Sequence, residues 1–103
     1  LNNQGVGYAS VALGSESVAS GSHAVAIGSG NTASGTAAFA VGVAHNCTGF
    51  SCTAMGYSNR SLGQGSVAIG YRVNAGADYT VALGYRAHAN NTGSIVFGDA
   101  STT

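Results

Sequence analysis

The chain has 103 residues, of which 17 are Gly, 18 Ala and 13 Ser, with three basic side chains, all Arg, three acidic ones and a formal net charge of zero. So little charge excludes a nucleic-acid binder that neutralises phosphates and a polybasic membrane patch, and it argues against a charge-solvated disordered chain. One domain spanning residues 1–103 is expected at this length, with only 21 Val, Ile, Leu, Met and Phe residues to fill a conventional core.

The richest apolar stretch, residues 37–44, is far shorter than the roughly 20 residues needed to span a bilayer, so no direct membrane insertion is expected. Leu1 to Gln4 shows no signal-peptide pattern, and without an initiating Met the chain reads as a fragment or mature piece of something longer.

Along the chain, Gly14, Gly28, Gly42, Gly56, Gly70, Gly84 and Gly98 recur every fourteen residues without a slip. Each closes a short apolar run, beginning with Val11-Ala12-Leu13 and ending with Ile95-Val96-Phe97, which has the period-two character of a strand. A weaker half-repeat lies between them at Gly7, Gly21, Gly35, Gly49 and Gly63, preceded two positions earlier by Gly5, Ala19, Ala33, Cys47, Ser61, Ala75 and Ala89. Each unit is therefore expected to be two short strands joined by two turns, with the seven main glycines as turn residues. A unit this short cannot close a core alone, so an all-β parallel β-solenoid of about seven 14-residue coils is predicted.

Alternation divides the first strand into two faces. Residues two and four before each main glycine are small, from Ser10 and Ala12 to Ser94 and Val96, and predict a narrow interior. The opposite face holds Val11, Leu13, Val25, Ile27, Phe39, Val41, Met55, Val67, Ile69, Val81, Leu83, Ile95 and Phe97, broken only by Thr53. The matching face of the second strand is polar, with Val6, Val18 and Leu62 as its large apolar members. At about 1.5 to 3 kcal/mol for each large side chain left in water, thirteen such residues outweigh the stability of a small domain. They are accordingly expected to face the same strand of other chains around a symmetry axis. The converse register, with Ala outside and the large residues inside, would give a monomer but would leave a polar second strand to enclose them.

The phrases Ser66-Val67-Ala68-Ile69-Gly70 and Ala24-Val25-Ala26-Ile27-Gly28, the latter continuing to Gly35, resemble the head repeats of trimeric autotransporter adhesins, the YadA-like family. The resemblance covers the whole chain in register. It implies a left-handed parallel β-roll, three chains packed with their Val and Ile columns at the centre, and an extracellular role in attachment to a host matrix protein or glycan. Neck, coiled-coil stalk and anchor barrel are absent from these 103 residues. Related repeats occur in phage and viral fibres, and Asn91 to Ser101 resembles the end of such a fibre repeat.

Cys47 and Cys52 depart from the family pattern. Sitting on the small columns either side of Gly49, they are expected either to form a disulfide or to pack as small residues. His23, His45 and His88 share no phase and are expected on turns or outer faces. With no nucleophile constellation, no ligand-spaced metal cluster and no phosphate-binding loop, no enzyme activity and no cofactor are expected. Tyr57, Tyr71 and Tyr85, with Arg72 and Arg86, predict a ladder along one edge that either stabilises the solenoid or contacts a ligand. Asn46, Asn59 and Asn90 head three glycosylation sequons at accessible positions. Two functions follow: a non-enzymatic adhesin-type head on a cell surface, or a structural spacer of a viral or cell-surface fibre. An ice-binding solenoid would need a regular Thr column, and the eight threonines fall at scattered phases.

Overall fold

The structure, a computed structural model, describes residues 2–99. Fourteen strands alternate long and short. The long ones are β2 (Val11–Ser15), β4 (Val25–Ser29), β6 (Phe39–Val43), β8 (Thr53–Tyr57), β10 (Val67–Tyr71), β12 (Val81–Tyr85) and β14 (Ile95–Asp99). The short ones, two residues each, are β1 (Gln4–Gly5), β3 (Val18–Ala19), β5 (Thr32–Ala33), β7 (Asn46–Cys47), β9 (Arg60–Ser61), β11 (Asn74–Ala75) and β13 (His88–Ala89). Each set forms its own seven-stranded parallel sheet in chain order, and every pairing is offset by one repeat, as in Val11↔Val25 and Val67↔Val81. The chain is a parallel β-solenoid of seven coils.

The small columns face inward. Ala26, Ala40, Ala54, Ala68 and Ala82 of the long strands and Ala19, Ala33, Cys47, Ser61, Ala75 and Ala89 of the short strands are all buried. The converse register is thereby excluded, because no residue of the large apolar columns on β2 to β14 is buried. One hydrogen-bonded pair divides this core into two apolar clusters. At that level Ser66 Oγ donates to the Gly63 carbonyl (2.6 Å) and lies 2.6 Å from Ser61 Oγ, so neither buried hydroxyl is left without a partner.

The main glycines are not turn residues. Each described one is the fourth residue of a five-residue long strand, with φ between +110° and +139°. A Cβ on Gly14 would lie 1.9 Å from the carbonyl oxygen of Gly28, and one on Gly70 would lie 2.0 Å from that of Gly84. Both backbone conformation and the approach of the next coil therefore demand glycine. The turns proper use the left-handed region at Ala9, Glu16, His23, Ala37, Ala44, Ser51, Ser58, Arg72, Tyr79 and Arg86, with φ of 54–59°, and glycine occupies the equivalent position only at Gly30, Gly65 and Gly93. A non-glycine residue there costs about 1–2 kcal/mol. What the turn gains is a bond between coils: the His23 N–H donates to the Tyr8 carbonyl (2.7 Å) and the Arg72 N–H to that of Tyr57 (2.9 Å).

Cys47 and Cys52 face each other across one corner, with a Cα–Cα separation of 5.9 Å and their sulfurs bonded. One coil on, Ser61 and Ser66 occupy the same two positions, which identifies a recurring slot whose width suits a disulfide. Two outcomes are expected. Gly70→Ala should cost about 3 kcal/mol or more in chemical denaturation, since strain and overpacking add. The double variant Ser61→Cys/Ser66→Cys should close a second bridge, read as the loss of two hydrogens in the intact mass; freely alkylated thiols in the folded variant would show that the slot does not recur.

Candidate functional site

With Ala assigned to the interior, the long sheet carries its large side chains outward on neighbouring columns. Leu13, Ile95 and Phe97 are more than half exposed, at 55, 62 and 69%. Val25, Ile27, Val41, Val67, Ile69, Val81 and Leu83 are half-buried. This is a flat apolar face on a thin body, whose principal extents are 40 × 22 × 10 Å. The short sheet presents the contrasting surface: Gln4, Ser20, Ser34, Thr48, Arg60, Gly76, His88 and Asn90 are exposed.

At the C-terminal end of the long strands the apolar columns give way to an aromatic ladder. Tyr57 and Tyr71 stack with ring centroids 5.1 Å apart and planes 9° from parallel, and Tyr71 and Tyr85 with centroids 5.4 Å apart and planes at 24°. The register causes it, pairing Tyr57 with Tyr71 and Tyr71 with Tyr85 on adjacent strands. The guanidinium carbons of Arg72 and Arg86 lie 5.8 and 5.6 Å from the ring centroids of Tyr71 and Tyr85, within cation–π range. Their backbone N–H groups bond the Tyr57 and Tyr71 carbonyls of the preceding coils.

A second ladder lies inside the corner that follows each long strand, and no feature singled out in the sequence points to it. Asn3, Ser17, Asn31, His45, Asn59 and Val73 occupy one phase, and all but Asn3 are buried. Asn31 Nδ2 donates to the carbonyls of Ile27 (2.7 Å) and Gly42 (2.9 Å), while its Oδ1 accepts from the His45 N–H (3.0 Å). Asn59 repeats the arrangement, donating to Met55 and Gly70 and accepting from the Val73 N–H at 2.8 Å. One amide thus ties its own coil to the next. The available signal was the shared phase of Asn3, Asn31 and Asn59, each at the same position relative to the main glycines.

Two expectations are corrected here. His45 is not on an outer face: it is 2% exposed, because its phase is the interior of this corner. Its Nδ1 accepts from the Asn59 N–H (3.2 Å), which places the ring proton on Nε2. Nε2 is directed toward the Val41 and Gly56 carbonyls, the counterparts of the acceptors used by Asn31 and Asn59, but reaches hydrogen-bond geometry with neither. Burial holds the His45 pKa below the ordinary histidine value, against an opposing pull from those carbonyls. Asn59 is likewise not an accessible glycosylation acceptor, since it is fully buried with its Nδ2 committed to two carbonyls. Asn46 is half-buried and Asn90 exposed. His23 lies on a turn, edge-on to Tyr8 at 5.5 Å, and His88 is exposed on β13. Among the described residues no group of three His, Cys, Asp or Glu side chains converges.

Comparison with protein-family models matches the description "YadA head domain repeat (2 copies)" over residues 6–31, 19–43, 48–72 and 75–101. The chain belongs to the YadA head repeat family. Comparison with curated proteins gives no match. YadA heads are adhesin domains exposed at a surface, known to form homotrimers and not known as enzymes. In this YadA head, the fourteen-residue coil, the inward Ala columns and the outward apolar columns are all present in one chain.

The buried ladder generates a pH dependence. Because the folded pKa of His45 is depressed, the unfolded chain takes up a proton below about pH 6.5 while the folded chain resists it. The stability contribution is therefore complete above pH 6.5 and declines as pH falls toward the folded value. His45→Asn should restore the repeat's own amide, raise stability by about 1 kcal/mol for the recovered hydrogen bond, and remove this component of the decline between pH 7.5 and 5. Thermal unfolding at both pH values checks it; an equal decline in the variant would refute the role given to His45.

Proposed function

We propose that this chain is a non-enzymatic, adhesin-type head that assembles as a side-by-side homotrimer and attaches, outside the cell, to a host surface or matrix component. The observation that carries this reading is the large apolar face set on an Ala-lined core. Two apolar columns, each recurring every fourteen residues, lie side by side on seven coils, and none of their large side chains is buried among the described residues. Monomeric proteins seldom expose a contiguous patch of this kind, and one rimmed by polar residues marks an association surface. Three copies related by a rotation axis would bury the same columns of each chain, as closed symmetry requires. Family membership supports the same assembly. The side of the rod formed by the polar short sheet would then face outward, where repeated weak contacts along three chains add by avidity.

A spacer role in a cell-surface or virion fibre is favoured by a different observation. All seven coils stack in unbroken register over a 40 Å body, which makes a stiff rod whether or not it binds anything. Binding separates the two roles. Light scattering coupled to size exclusion is expected to give a trimer, and the paired change Ile27→Asp/Ile69→Asp is expected to give monomers, since buried unpaired carboxylates are strongly unfavourable. A stable wild-type monomer would overturn the assembly. Retention of the trimer on immobilised matrix proteins or glycans is expected of a head, and its absence from all of them would leave the spacer.

A further inference from the structure

The few charges of this chain are unevenly placed. All three arginines, Arg60, Arg72 and Arg86, fall within residues 60–86, on the turns after the long strands or on the short strand that follows, with His88 on the same side. Glu16 occupies the same kind of turn four repeats before Arg72, and Asp78 is on the opposite corner, its Oδ1 accepting from the Gln64 N–H. Asp99 is paired in register with Tyr85 at the end of the ladder.

Arg72 and Arg86 stand out energetically. They follow Tyr71 and Tyr85, which are paired on adjacent strands, so their backbones are one coil apart, about 4.8 Å. Like charges side by side on neighbouring strands are destabilising. The cation–π contacts with Tyr71 and Tyr85 offset part of this. A like-charge pair kept on adjacent coils and only partly offset points to a task other than folding.

The tyrosines define the shape of what could be bound. Tyr57, Tyr71 and Tyr85 are 45, 42 and 40% exposed although each covers a neighbour's face. For Tyr71, stacked on both faces, the surface left to solvent is therefore ring edge and phenol hydroxyl. Hydroxyls and guanidiniums repeat along a straight line at the coil spacing, close to the length of one pyranose unit. Guanidinium is suited to bidentate bonding of a planar or tetrahedral oxyanion, and phenol exchanges hydrogen bonds with sugar hydroxyls.

We infer that the Tyr57–Tyr71–Tyr85 ladder, with Arg72 and Arg86, is a binding strip for a linear sulfated glycan laid along the rod axis. The guanidiniums take the sulfates and the phenols take ring hydroxyls. The inference rests on the head reading for its biological setting, because one strip carries few charges and needs three chains to bind firmly.

The test uses the whole chain in its native assembly and heparin as the probe, with desulfated heparin and phosphatidylserine vesicles as comparisons. Heparin is expected to bind in a salt-sensitive way, and desulfated heparin and vesicles much more weakly. Arg72→Gln/Arg86→Gln should weaken heparin binding about tenfold or more by removing two charge-assisted contacts. Tyr71→Phe, which keeps the stack, should weaken it about two- to threefold through one neutral hydrogen bond. Three results would overturn the inference: unchanged heparin affinity in the double arginine variant with its fold intact by circular dichroism, equal binding to vesicles, or loss of the oligomer in that variant, which would make the ladder a contact between chains. A wild-type trimer that adheres to matrix proteins but ignores heparin defeats the strip and leaves the head. A monomer that binds heparin through these arginines does the reverse.

Discussion

The closeness of the two sheets governs everything else in this molecule. The buried columns between the sheets carry methyl, hydroxymethyl and thiol groups and, at Thr80, one larger side chain. Facing sheets of ordinary sandwiches are held about 10 Å apart by large interdigitating side chains. Here the corresponding columns are Ala, Ser and Cys apart from Thr80 and Val96, so each coil gains little from hydrophobic burial and relies on hydrogen bonds to its neighbours. The apolar surface that a globular domain would place inside is displaced to the outside of the long sheet, and association becomes part of the fold's energetics.

Perfect register turns each phase of the repeat into a column, so the merit of a residue depends on whether it stacks well on its own kind. Ala on Ala fills the interior, and Tyr on Tyr stacks at 5.1 and 5.4 Å. Asn suits the inner corner because its amide both donates to carbonyls and accepts the next coil's N–H. His45 fits that corner with its acceptor but not with its donor, which makes it the one titratable interruption of the ladder among the described residues. Arg on Arg is the unfavourable column, and its position beside the tyrosines gives the C-terminal coils a surface that Ser15 and Ser29 do not supply at the other end.

Much of this was legible beforehand. The glycine period, the strand alternation and the contrast between a small, a large and a polar column led to the solenoid, its register and its exposed apolar face without reference to coordinates. The tyrosine column was legible for the same reason. The role of the main glycines was not: glycine is the usual sign of a turn, yet here it sits inside a strand because the next coil's carbonyl passes where a Cβ would be. Arg72, Ala44 and Glu16 carry the left-handed turn in its place, a conformation their side chains do not advertise.

By itself, then, the sequence determined the repeat, the direction of each strand face and the columns that result, because period two and period fourteen are properties of residue order. Only the tertiary structure decided which polar residues at the corners are inside. Asn46 and Asn59 look alike as sequon asparagines, but they differ by one position in phase, and that step carries one to the short strand and the other into the closed corner, where its amide is consumed by two carbonyls. The direction of a corner residue depends on the turn's dihedral angles and on the neighbouring coil, and neither is encoded by alternation along a strand.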